Sequence, residues 1–178
     1  MEQPAQRSAP AGRRAGPELV GKPSRDSKPT ATWAQICWVT PTPVPLRMRD
    51  ALAYVTIVGS ASLHALDARR LAQSERAVQA GSVIHELDRL GPQIQWDHLG
   101  PPGNVEELVT RLLYGHGADV VMETALKYRG LEEVRSARAQ LALALRERVA
   151  PALGVLGLHV ERLSIDRIED DSRWDHEA

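Results

Sequence analysis

Six histidines, one cysteine and a scatter of carboxylates are the side chains here that chemistry could use, and their spacing decides what they can do. The run His85-Glu86-Leu87-Asp88-Arg89 begins like a helical zinc motif, but Arg89 stands where the second histidine must be. His64, His85, His98, His116, His159 and His176 include no pair three or four residues apart, so no helix face offers two imidazoles to one ion. Trp-Asp-His occurs at Trp96 to His98 and at Trp174 to His176, with nothing repeated around either copy; it reads as coincidence. Gly115-His116-Gly117 has Val120 in place of a third glycine and follows a helix pattern, which leaves a phosphate-cradling turn unsupported. Ser60 lies in Gly-Ser-Ala-Ser, without the second glycine of a nucleophile elbow. Cys37, between Ile36 and Trp38 in a strand pattern, is expected to be a buried, inert thiol. We therefore expect no catalytic, cofactor-binding or metal-binding residue and no cofactor.

Composition narrows the classes further. A net charge of -1 gives no global attraction for nucleic acid, so no DNA binding is expected. The single cysteine excludes an intrachain disulfide and suits a reducing, cytoplasmic compartment. No run approaches the roughly 18 apolar residues of a membrane-spanning helix. Phenylalanine is absent, so the core must be built from leucine, valine, isoleucine and alanine.

The elements that would position these residues follow from periodicity. Residues 1–32 combine five prolines with basic and small polar residues, the composition of a disordered tail. A short strand is expected from Trp33 to Val39, an extended proline-bearing piece over 41–45, and a longer strand from Ala51 to His64 in which Ala53, Val55, Ile57 and Gly59 share one face. Gly59 marks a bulge or a close backbone approach. Asp67 is placed to cap a helix that Gly81 could end, and residues 81–104 read as a loop with a short element. Asn104 and Glu107 signal the next helix, with Gly115 and Gly117 predicting a kink or two helices meeting. From Val134 the stripe Ala137, Leu141, Leu145, Val149, Ala152 predicts a helix over 131–150, ended by Pro151 and Gly154. Gly157 then opens a strand through Val160, Leu163 and Ile165. Glu132, Arg135, Arg138, Arg146 and Glu147 read as that helix's solvated face.

Leu145, Glu147, Val149, Ala150 and Pro151, followed by Gly157, Leu158, Val160, Leu163, Ile165 and Ile168, resemble the end of the stomatin/prohibitin/flotillin (SPFH, Band 7) domain. Thr40, Pro43, Val44, Pro45, Arg47 or Arg49, Asp50, Gly59 and Asp67 look like the opening of its bacterial virion-core-like subgroup. The resemblance covers roughly residues 33 to 170 and rests on order and spacing. It implies an α+β fold, a twisted, mostly antiparallel sheet packed by two or three helices, with a tail at 1–32, the SPFH-like domain at 33–170 and a flexible C-terminal tail at 171–178. By resemblance, Pro43, Asp50, Gly59, Asp67, Pro151, Gly157, Val160 and Ile165 determine the fold. It further implies a non-catalytic scaffold that forms a homo-oligomer. No counterpart of the stomatin and prohibitin membrane anchor is present, so membrane contact is expected to be peripheral.

Two alternatives belong to other classes. One is a small-ligand or metal-dependent enzyme whose site the fold assembles from dispersed His, Asp and Glu, among them His64, His85, His98, His116 and His159. The other is an adaptor that binds a partner through its basic tail (Arg7, Arg13, Arg14, Lys22, Arg25, Lys28), with Trp174 a further docking candidate.

Overall fold

A computed structural model describes residues 32–82, 87 and 100–171; residues 1–31 of the predicted tail, His85, His98, both Trp-Asp-His runs and Trp174 lie outside the described residues, while Thr32, expected in the tail, opens the first strand. The fold is α+β, with a four-stranded, open antiparallel sheet and four helices among the described residues. In chain order these are β1 (Thr32–Val39), β2 (Val44–Arg47), β3 (Leu52–Ala65), α1 (Ala68–Gln79), α2 (Val105–Ala125), α3 (Leu131–Ser136), α4 (Arg138–Val155) and β4 (Leu158–Asp170).

The 14-residue β3 is the axis of the sheet. β4 runs antiparallel beside it from Val55 to Ala65, while β1 and β2 lie end to end along its other edge, pairing with 58–64 and 52–55. Pro45 sits in β2, an edge strand, where a missing amide donor is tolerated. Period-two alternation turns Val55, Ile57, Ala61 and Leu63 inward, with Ile36 and Trp38 of β1 and Val160, Ile165 and Ile168 of β4. α2 and α4 cover this face through Leu108, Leu112, Val121, Leu141, Leu145 and Val149.

Asp67 caps α1 as expected, its Oδ1 accepting the amides of Arg69 and Arg70 at 3.0 Å. Asp67→Ala should therefore lower stability by about 1 kcal/mol, read as a shift of the urea midpoint at unchanged slope; an unchanged midpoint would show the cap to be dispensable. Asn104 caps α2, accepting from the Glu107 amide at 2.8 Å, while the Glu107 carboxylate returns to the Gly103 amide at 2.8 Å.

Three helix expectations need correction. α2 runs unbroken through Gly115 and Gly117; Gly117 is buried against the Trp38 indole, and the close approach this permits offsets its poor propensity. The helix predicted over 131–150 is two, α3 and α4, parted at Ala137. Nor do Pro151 and Gly154 end α4, which continues to Val155. Pro151 and Glu147 are both exposed, so water can satisfy the carbonyl that proline leaves unpaired, while Ala152, Leu153 and Leu156 gain burial by continuing inward. The reversal falls at Gly157, whose φ of 80° suits glycine. Its carbonyl accepts the amides of Leu66 at 3.0 Å and Asp67 at 3.2 Å, tying the two turns together. Among the described residues no helix is long and apolar enough to cross a membrane.

Candidate functional site

The sheet face turned away from the helices carries the polar side chains the topology brings together. Ser60, Ser62 and His64 follow one another along this face of β3, opposite Ser164, Arg162 and His159 of β4. β4 holds an extra residue at two places, Glu161 and Asp166, where the register shifts against Ser62/Leu63 and Val58/Gly59. The Glu161 carboxylate meets His64 Nε2 at 2.6 Å and the Ser62 hydroxyl at 3.4 Å. Hydrogen bonding and the charge of His64 hold the Glu161 pKa below the ordinary carboxylate value. Three residues on, Ser164 donates to Asp166 at 2.6 Å and lies 2.9 Å from Ser60.

This order of groups is not that of a Ser-His-acid triad. There the imidazole stands between hydroxyl and carboxylate, whereas here Glu161 stands between Ser62 and His64. The cluster fastens two strands across the bulge. Cys37, expected to be buried, is exposed on this face because its phase along β1 is opposite to that of Ile36 and Trp38. A depression of about 360 Å³ lies beside it, lined by Gln35, Cys37, Ser60, Ser62, Glu161 and Arg162 among others.

His64 and His159 face each other across β3 and β4, but His116 is 3% exposed within α2. No group of three or more His, Cys, Asp or Glu able to hold a metal occurs among the described residues. Neither ring nitrogen of His116 has a hydrogen-bond partner among the described residues, and the same is true of Trp38 Nε1 and the Tyr114 hydroxyl. Burial, with the Arg148 guanidinium a smaller cause, brings the His116 pKa down to about 4. Arg148 itself bridges α4 to α2 by donating to both Glu123 carboxylate oxygens, at 2.9 and 2.7 Å.

The residues expected to determine the fold occupy different places in it. Pro43 precedes β2, Asp50 sits in the β2–β3 turn with its amide 3.4 Å from the Arg129 carbonyl, and Val160 and Ile165 are inward residues of β4. Gly59 faces Trp38 in the strand ladder and backs onto the indole. The chain matches no protein-family model and no curated protein.

Arg138 and Arg146 are exposed, as a solvated face requires, but they and Arg135 also make a second feature. No described strand pairs with the outer edge of β4, and side chains of α3 and α4 reach it instead. Arg135 Nε donates to the Ile168 carbonyl at 2.8 Å, Arg146 Nη2 to Val160 at 3.1 Å, and Arg138 to Asp166. Arg135 also pairs with Glu132, as the spacing suggests. The available signal was position: Arg138 precedes the buried stripe at Leu141 by three residues and Arg146 follows Leu145, so both border the packed face.

Proposed function

We propose that this chain is a non-catalytic scaffold of SPFH-like type, a cytoplasmic unit that assembles with copies of itself and contacts membranes peripherally. The observation that carries this reading is the return of β4 along nearly the whole of β3 after a helix that reverses at Gly157, the element order that the resemblance implies. The polar face supports it as well, because its carboxylates and hydroxyls are engaged in joining strands and its serine, histidine and glutamate do not stand in the order of a Ser-His-acid triad.

Light scattering of the full chain over a wide concentration range tests the assembly. The expected result is a mass several times that of one chain, rising with concentration; a strict monomer at the highest soluble concentration removes the scaffold reading.

A further inference from the structure

Between α4 and the outer edge of β4 runs a groove of about 700 Å³, adjoined by a second depression of about 590 Å³ that shares Arg135, Ser136 and Arg138 with it. One wall is the β4 backbone. Its floor is aliphatic, with Ala139, Ala142, Leu163 and Leu143, a residue left 59% exposed. Arg138 and Arg146 meet backbone carbonyls and no carboxylate among the described residues. Of the other charges nearby, Glu132 pairs with Arg135 and Glu169 with Arg167, Asp166 accepts from the Ser164 hydroxyl, and Asp170 lies at the far end of the second depression.

We propose that this groove is a binding site for an extended acidic peptide segment, which adds to β4 as a further strand. An unpaired strand edge beside a helix can receive backbone hydrogen bonds while side chains of the incoming segment settle on the floor. Carboxylates on that segment draw Arg138 and Arg146 away from the carbonyls they now satisfy, because a charge-assisted bidentate pair is stronger than a bond to a neutral carbonyl. The released carbonyls then accept from the added strand. Eight residues of α4 separate the two arginines, about 12 Å along a helix. That distance matches about four residues of an extended strand, so the segment carries acidic residues four positions apart. A single-stranded nucleic acid would also supply negative charge, but the groove offers aliphatic side chains and no aromatic ring for base stacking. The site does not depend on the scaffold reading, since a monomer would possess it.

The test uses the full chain and synthetic peptides of about nine residues, enough to span a strand of ordinary length. One alternates valine and glutamate, a second keeps only two glutamates four positions apart, and a third replaces every glutamate with lysine. Fluorescence anisotropy should give saturable binding of the first two, weakened by salt, with backbone amide shifts centred on Val160 to Ile168. Arg138→Gln combined with Arg146→Gln should weaken binding by about tenfold or more. Leu143→Ser, at an exposed position that folding does not require, should weaken it severalfold and decides the matter if the arginine variant fails to fold. Absence of saturable binding by the acidic peptides, equal binding of the lysine peptide, amide shifts away from β4, or binding of an oligonucleotide alone would each overturn the proposal.

Discussion

Replacing Gly59 with alanine is expected to destabilise the fold by about 3 kcal/mol or more, the upper range for overpacking a core. A Cβ at this position would lie 2.3 Å from Trp38 Cζ2 and 2.6 Å from the Ser164 carbonyl oxygen, and the second obstacle is backbone. The Trp38 ring cannot retreat, because its far edge already lies where a Cβ on Gly117 would be only 2.8 Å from Cη2. One indole is thus held between a glycine of the sheet and a glycine of α2. Gly117→Ala should cost less, about 1–2 kcal/mol, since alanine recovers about 1 kcal/mol of helix propensity against the clash. Urea denaturation of the two variants, alone and with Trp38→Leu, separates the causes. In the Trp38→Leu background Gly117→Ala should become neutral or stabilising, while Gly59→Ala should remain destabilising because the Ser164 carbonyl is still in the way. A Gly59→Ala protein as stable as the parent would show that the ring is not clamped.

That clamp explains why some of the fold was legible in the residues and some was not. β3 could be read because alternation of Val55, Ile57, Ala61 and Leu63 is a local signal of one buried face. Asp67 and Asn104 were equally legible, since an N-cap satisfies amides two or three residues away. Gly117 misled because a glycine in a helix pattern has a local cost, whereas its compensation comes from Trp38, 79 positions earlier. Pro151 misled in the same way: the local rule ends a helix, and the burial of Ala152, Leu153 and Leu156 overrules it. Cys37 is instructive because the neighbours used to judge it, Ile36 and Trp38, point to the other face; period two applied to that triplet separates them. The Ser62–Glu161–His64 cluster and the arginines along β4 could not be read, because both depend on register between strands and on the two bulges. Legibility here follows the sequence distance of the partner.

Acid should unfold this protein earlier than its carboxylates alone would require, and His116 is the reason. In the unfolded chain its imidazole titrates near the ordinary value of 6.5, while in the fold burial holds the pKa at about 4. Below pH 6.5 the unfolded chain takes up a proton that the folded one refuses, so stability falls with decreasing pH and levels off near pH 4. That difference corresponds to about 3 kcal/mol, a large share of the stability of a domain this size. The Arg148 cation on α4 opposes protonation as well, and Arg148 is itself committed to Glu123. Glu107 and Glu123 titrate in a separate window. Their hydrogen bonds hold both below the usual carboxylate value of 4.5, so the stability they contribute is present above that pH and is lost as the pH falls through their lower folded values. Asp119, whose pKa burial raises, and the His64–Glu161 pair also titrate toward this range, so over the interval from pH 6.5 to 4.5 the histidine is read from the difference between the parent and a variant without it. Urea midpoints measured across it should drop more steeply in the parent than in His116→Leu, a replacement that puts an apolar side chain of similar size in the core. A parent midpoint that holds steady over this interval, or a leucine variant that follows the same slope, would mean that the imidazole accepts its proton without leaving the core.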